Sequence, residues 1–187
     1  VLLAEAGTGT GKSLAYLLPA TLWAKGSRQQ VIISTNTINL QEQLMSKDIP
    51  LLRQQLGEDF GAVVLKGRGN YICRRKWRAM RQQAEAKTLP VYLRLAHWLT
   101  LTNSGDFSEL NLWGQEYDIV QQLNAGSESC VNFNCPFQRK YCFVSQIRRK
   151  AQQADLLIIN HSLLLTVAQL GDDGAGVLPP ARYLIVD

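Results

Sequence analysis

Val1-Leu2-Leu3-Ala4-Glu5-Ala6-Gly7-Thr8-Gly9-Thr10-Gly11-Lys12-Ser13 decides how this chain is read. An apolar, strand-like run leads at once into a glycine-rich turn. The turn leads into Lys12 to about Lys25, which places Leu14, Leu17, Leu18, Thr21 and Leu22 on one helical face, with Pro19 expected to perturb the helix. A phosphate-binding loop asks for Gly, four residues, then Gly-Lys-Ser/Thr. Ala6 stands where the first Gly would be, whereas Gly11-Lys12-Ser13 match. Glycines at 7, 9 and 11 free the backbone to turn successive N–H groups toward phosphate oxygens, and the helix adds its positive end. The stretch Ala6, Gly7, Thr8, Gly9, Thr10, Gly11, Lys12 and Ser13 is therefore the candidate nucleotide site. Lys12 would serve the outer phosphates and the Ser13 hydroxyl would serve Mg²⁺. A turn that merely caps a helix is the plainer alternative, but the position between strand and helix favours nucleotide.

Further strands are expected at Val31–Thr35, Ala62–Lys66, Leu156–Asn160 and Tyr183–Asp187. They are continuous in Val, Ile and Leu, as parallel strands buried on both faces are. A second helix is expected from Asn39 to Lys47. Strand and helix in alternation predict a doubly wound α/β sheet. Asp187, closing an apolar strand on the same sheet, is the candidate carboxylate for Mg²⁺. Strand-like runs at both ends, the first without an initiating Met, read as a piece of a longer chain.

Between about Gly67 and Lys150 the rhythm breaks. Helices are expected over Arg74–Lys87, Pro90–Leu101, Gln115–Asn124 and Phe143–Gln153, as an insertion between two strands. All the cysteines lie here: Cys73, then Cys130, Cys135 and Cys142 close together. Structural zinc prefers two tight Cys pairs, so one remote and three clustered cysteines suit an iron–sulfur cluster better. Zinc and free buried thiols stay open on spacing alone. Disulfides are disfavoured, because a nucleotide-binding chain without a signal peptide belongs in a reducing compartment.

The insertion is also basic and aromatic. Lys66, Arg68, Arg74, Arg75, Lys76, Arg78 and Arg81 form one acid-free stretch, and Arg139, Lys140, Arg148, Arg149 and Lys150 form another. Tyr71, Trp77, Phe133, Phe137, Tyr141 and Phe143 are interleaved with them. Cations for phosphates and aromatic faces for bases are what single-stranded nucleic acid requires. Trp77 and Phe143 are the aromatics expected in a core instead. His97, beside Leu95 and Trp98, is expected to be packed. Asn160-His161, at a strand end, is expected to cap a helix or mark a turn.

Composition sets the outer bounds. With 187 residues, 46% of them hydrophobic, and a net charge of +5, the chain can bury a core and leans toward an anionic partner. It contains no apolar run of the ~18–20 residues that span a bilayer.

Glu5–Ser13, with Ser34-Thr35-Asn36-Thr37-Ile38-Asn39-Leu40-Gln41-Glu42-Gln43-Leu44, resembles motifs I and Ia of the DinG/XPD group of superfamily 2 helicases. Lys66-Gly67-Arg68-Gly69-Asn70-Tyr71-Ile72-Cys73 resembles the start of that group's iron–sulfur domain. Ala154–His161 resembles the return to the motor, and Leu184-Ile185-Val186-Asp187 the start of motif II. The cysteine spacing is more similar to the bacterial DinG-type branch.

The resemblance implies a P-loop (RecA-like) parallel sheet, residues 1–66 and 151–187, carrying a mainly helical iron–sulfur insertion at 67–150. It implies ATP, Mg²⁺ and a [4Fe–4S] cluster held by Cys73, Cys130, Cys135 and Cys142. Lys12 and Asp187 become catalytic, Ser13 and Asp187 the Mg²⁺ ligands. Thr35, Asn36, Arg68, Tyr71, Arg74 and Arg75 become the DNA contacts. The activity implied is that of an ATP-dependent DNA helicase moving 5′ to 3′ on single-stranded DNA, in repair or replication, in the bacterial cytoplasm. The 187 residues by themselves are expected to bind nucleotide weakly and hydrolyse almost none. The runner-up is a zinc-stabilised nucleic-acid-binding module on a P-loop scaffold. A P-loop kinase or transferase is the third reading, and the basic insertion speaks against it.

Overall fold

The computed structural model describes residues 1–7, 10–57, 59–83, 85–126, 130–131, 134–138, 140–171 and 176–187. The chain divides into two compact units, Val1–Lys66 with Lys150–Asp187, and Gly67–Arg149.

The first unit is an α/β layer. Helix α1 (Lys12–Ser27) leads to β1 (Val31–Thr35). A helical stretch follows as α2 (Ile38–Gln43), a π-helical turn (Leu44–Asp48) and α3 (Ile49–Leu56), then β2 (Ala62–Val64). After the second unit come β3 (Leu156–Asn160), α8 (His161–Leu170) and β4 (Tyr183–Val186). The strands form one parallel sheet in the order β2-β3-β1-β4. In β1 and β3, Ile33 and Leu156 through Ile159 are wholly buried, which explains their unbroken apolar sequence. Full burial of one such side chain contributes about 1.5–3 kcal/mol. Leu17, Ala20 and Ala24 of α1 close over this core with Leu44, Ile49 and Leu52.

Two expectations fail here. Val1–Ala4 pairs with none of the four strands, and Val1, Leu2 and Leu3 are at least 90% exposed. An apolar run becomes a strand only by pairing, and composition does not supply the partner. Pro19 lies inside α1, which runs from Lys12 to Ser27. The expected helix at 39–47 runs on as far as Leu56, and its continuation α3 carries Pro50 in its first turn, a residue that reads as a breaker in sequence but fits there.

The second unit is mainly helical: α4 (Arg74–Met80), α5 (Leu89–Leu101), α6 (Gln115–Leu123) and α7 (Phe143–Gln153), whose last turn belongs to the first unit. Its core gathers Ile72, Tyr92, Leu95, Trp98, Phe107, Val120, Leu123 and Phe143. Trp77 stacks on Tyr92 with ring centroids 5.7 Å apart, and Phe143 is buried, so both serve the core as expected. His97 is exposed rather than packed, because it falls off the face that carries Tyr92, Leu95 and Trp98. Among the described residues no helix is long and apolar enough to cross a membrane.

Candidate functional site

The first candidate site lies at the carboxyl ends of the strands. The parallel register sets Ser34 beside Val186 and Thr35 beside Asn160. The Asp187 N–H, one residue past β4, donates to the Ser34 carbonyl at 2.9 Å. Open α/β sheets present their ligand sites along this edge.

Gly11, with φ of +80°, turns the chain into α1. A Cβ there would meet nothing within 4 Å, so the left-handed backbone alone demands glycine. Helix α1 has no side-chain cap and no acid in its first turn. Its leading N–H groups are thus left for an anion. The Thr10 hydroxyl donates to the Gly7 carbonyl at 2.8 Å. Ala6 and Gly7 are exposed, and Thr8 and Gly9 lie outside the described residues.

Lys12 and Asp187 meet, with Nζ 2.7 Å from Oδ1. The Lys12 side chain is half exposed, whereas the Asp187 side chain keeps only 10% of its surface. Tyr16, which the sequence did not single out, donates its hydroxyl to Asp187 Oδ2 at 3.1 Å. Burial first, and the adjacent Asp187 charge second, hold the Tyr16 phenol well above its ordinary pKa, with Ser13 opposing. The spacing could have revealed it: residue 16 falls one helical turn after Lys12, on the same face. A hydroxyl and a carboxylate are the hard oxygen donors that Mg²⁺ takes, so Ser13 and Asp187 suit it chemically.

Two neighbours complete this edge. The wholly buried Ser34 hydroxyl is 2.8 Å from His161 Nδ1. Asn160 caps α8, its Oδ1 accepting the Leu163 N–H at 2.9 Å, which is the capping role expected of Asn160-His161. Thr35 is wholly buried and its hydroxyl turns to the Thr37 carbonyl, while Asn36 is exposed. Of that pair only Asn36 offers a side chain to a ligand. Lys66 is 6% exposed and bonded to Glu42 at 3.2 Å, so it supports the α/β layer and drops out of the basic surface.

The second candidate site belongs to the helical unit. Cys73, Cys130, Cys135 and Cys142 are all free thiols and all line one cavity of about 80 Å³. Arg68, Arg74, Arg75 and Arg148 line it too. Cys73 is the N-cap of α4, and the Cys142 carbonyl accepts the Gln146 N–H at the start of α7. A negatively charged group held by those two residues would lie at the positive ends of two helices. Burial, and then Arg68, lower the Arg148 pKa, while Cys130 and Cys142 oppose them. Among the described residues, no three His, Cys, Asp or Glu side chains are gathered tightly enough to hold a single metal ion.

The expected DNA residues separate here. Tyr71 is 2% exposed and packs with Ala125 and Val144, so its ring faces protein rather than a base. Arg74 lies over the Phe143 ring at 4.4 Å, and with Arg68 and Arg75 it faces the cysteines. The exposed cations of this unit include Arg78, Arg81, Lys140 and Arg149, and Tyr141 is exposed as well. Phe133 and Arg139 lie outside the described residues.

The parallel sheet, its glycine turn and the lysine–aspartate pair at the strand ends define an α/β layer of the RecA-like kind. Residues 1–89 match the DEAD/DEAH box helicase family model. Over the whole chain it is 35% identical to the ATP-dependent DNA helicase YoaA of Haemophilus influenzae, of which it covers 29%. It is 36% identical to the ATP-dependent helicase DinG of Mycobacterium tuberculosis, covering all of this chain and 30% of that one. Identity to the 3′-5′ exonuclease DinG of Bacillus subtilis is 34%, over 99% of this chain and 20% of that one. The chain is thus similar to the DEAD/DEAH box helicase family over residues 1–89 and to YoaA and DinG over its whole length. It spans less than a third of the length of these relatives.

Proposed function

We propose that this chain forms the nucleotide-binding layer and a cluster-bearing lobe of an ATP-dependent DNA helicase. In the whole protein, ATP hydrolysis would drive 5′-to-3′ movement along single-stranded DNA during repair or replication. The observation that carries the reading is Lys12 Nζ at 2.7 Å from Asp187 Oδ1, at the carboxyl edge of a parallel sheet. Those two residues are remote in sequence, and a nucleotide-hydrolysing site needs both its phosphate lysine and its metal carboxylate there.

Residues Ala6 to Ser13 would cradle the phosphates, with Lys12 against the outer ones. Mg²⁺ held by Ser13 and Asp187 would neutralise charge on the phosphate oxygens. Asp187, at 10% exposure, is withdrawn from water where that charge counts most.

Residues 67–150 would be the cluster domain. Cys73, Cys130, Cys135 and Cys142 would hold a [4Fe–4S] cluster, which is wider than a single ion. The four thiols that line one cavity support that reading. Arg68, Arg74 and Arg148 would offset its negative charge. The exposed Arg78, Arg81, Lys140 and Arg149, with Asn36, would then be the contacts for DNA phosphates, and Tyr141 the stacking face.

One anaerobic preparation tests both halves. Four iron and four acid-labile sulfide per chain are expected, with nucleotide binding that Lys12→Ala weakens at least about tenfold, as loss of a charged phosphate contact does. A colourless protein with one zinc would remove the cluster reading. Nucleotide affinity indifferent to Lys12→Ala would remove the phosphate reading.

A further inference from the structure

Asp187 is held by two residues, one at each oxygen. Lys12 Nζ lies 2.7 Å from Oδ1, and the Tyr16 hydroxyl donates to Oδ2 at 3.1 Å. Both side chains come from α1, one helical turn apart, so a rigid rod presents them together to a carboxylate at the end of β4. The two contacts differ in what a nucleotide would do to them. Lys12 is half exposed, long and flexible, and phosphate would draw it off Oδ1. Tyr16 is a stiff ring packed against the core that contains Leu17 and Ile33, and it cannot follow. Its hydroxyl therefore stays on Oδ2 when Lys12 moves.

We propose that Tyr16 is the positioning residue of the metal site, clamping Asp187 Oδ2 so that Oδ1, once Lys12 leaves it for phosphate, is presented to Mg²⁺. This rests on the phosphate-loop reading above and adds a residue to it. The Tyr16 phenol reaches Asp187 from the helix side. Without it, the carboxylate would be free to turn about its own side-chain bonds. A metal would then have to fix an orientation that the fold now supplies beforehand.

The test is the binding of a fluorescent ATP analogue to the 187-residue chain, titrated with Mg²⁺ and repeated in EDTA. The quantity read is the gain in affinity that Mg²⁺ brings. Tyr16→Phe, which keeps the ring and removes only the hydroxyl, is expected to cut that gain about tenfold, the scale of losing one hydrogen bond to a charged group. Asp187→Asn should erase the gain, and adding Tyr16→Phe to it should change nothing more. A Tyr16→Phe gain equal to wild type overturns the proposal. So does a further loss in the double variant, because Tyr16 would then act elsewhere than through Asp187. If Lys12→Ala binds the analogue as well as wild type, or wild type binds none, the phosphate reading fails and takes the clamp with it. If Lys12→Ala weakens binding and Tyr16→Phe leaves the gain intact, only the clamp fails.

Discussion

The two units use the same raw material, apolar and basic residues, in opposite ways. In the α/β unit the buried Val, Ile and Leu of β1 and β3 form the centre, and the polar groups collect at the strand ends. In the helical unit a core around Trp98, Leu123 and Phe143 is set apart from a cavity lined by four thiols and four arginines. Burial in the sheet is concentrated in β1 and β3, while β4 is mostly exposed. The helical unit rests on short helices, seven residues in α4 and nine in α6, lengths that are marginal without tertiary support. The first unit draws its stability from burial, and on the cluster reading proposed above the second draws part of its own from the group its cysteines would hold.

Cys135→Ser is the sharpest way to break that contrast. On the cluster reading, amides in residues 67–149 should lose nearly all protection from hydrogen exchange, while those of β1 and β3 keep theirs. A helical unit that stays protected would show that its core suffices. Ile158→Ala acts on the other side, and removing a wholly buried side chain from the central strands should cost about 2–5 kcal/mol in urea unfolding. A cost under about 1 kcal/mol would mean that the sheet core is less tight than its burial implies.

Gly105→Ala is a probe of the helical core. Gly105 has φ of +65°, and a Cβ there would run into the Phe143 ring. About 1–3 kcal/mol of destabilisation is expected, with exchange protection around Ile72 and Phe143 reduced first. The smallest effect is expected for Asn160→Ala, which removes the α8 cap and should cost about 1 kcal/mol by thermal or urea unfolding. The order of these four measured losses tests whether the units differ as described.

Much of the α/β unit is legible without coordinates. The runs at Val31, Leu156 and Tyr183 became strands β1, β3 and β4; in β1 and β3 the unbroken apolar residues are buried on both faces, whereas β4 is mostly exposed. The helix at Phe143 was legible too, since its polar and apolar residues alternate at the helical period. Helix α8 was not, because Ser162, Thr166 and a string of leucines carry no clear face. Surface position was the weakest inference. Lys66 and Tyr71 sit in a stretch whose composition is basic and aromatic, yet the fold buries both, since a side chain's direction depends on its neighbours in space.

Sequence by itself determined the glycine turn, the parallel strands and the presence of four cysteines in a basic stretch, because each depends on local periodicity or on residue chemistry. Only the tertiary structure decided that Tyr16 and Lys12 share one carboxylate, that all four thiols line a single cavity, and that three of the expected DNA arginines face it. Those are relations between residues far apart in the chain, and only the closing of the sheet and the packing of the helices bring them together.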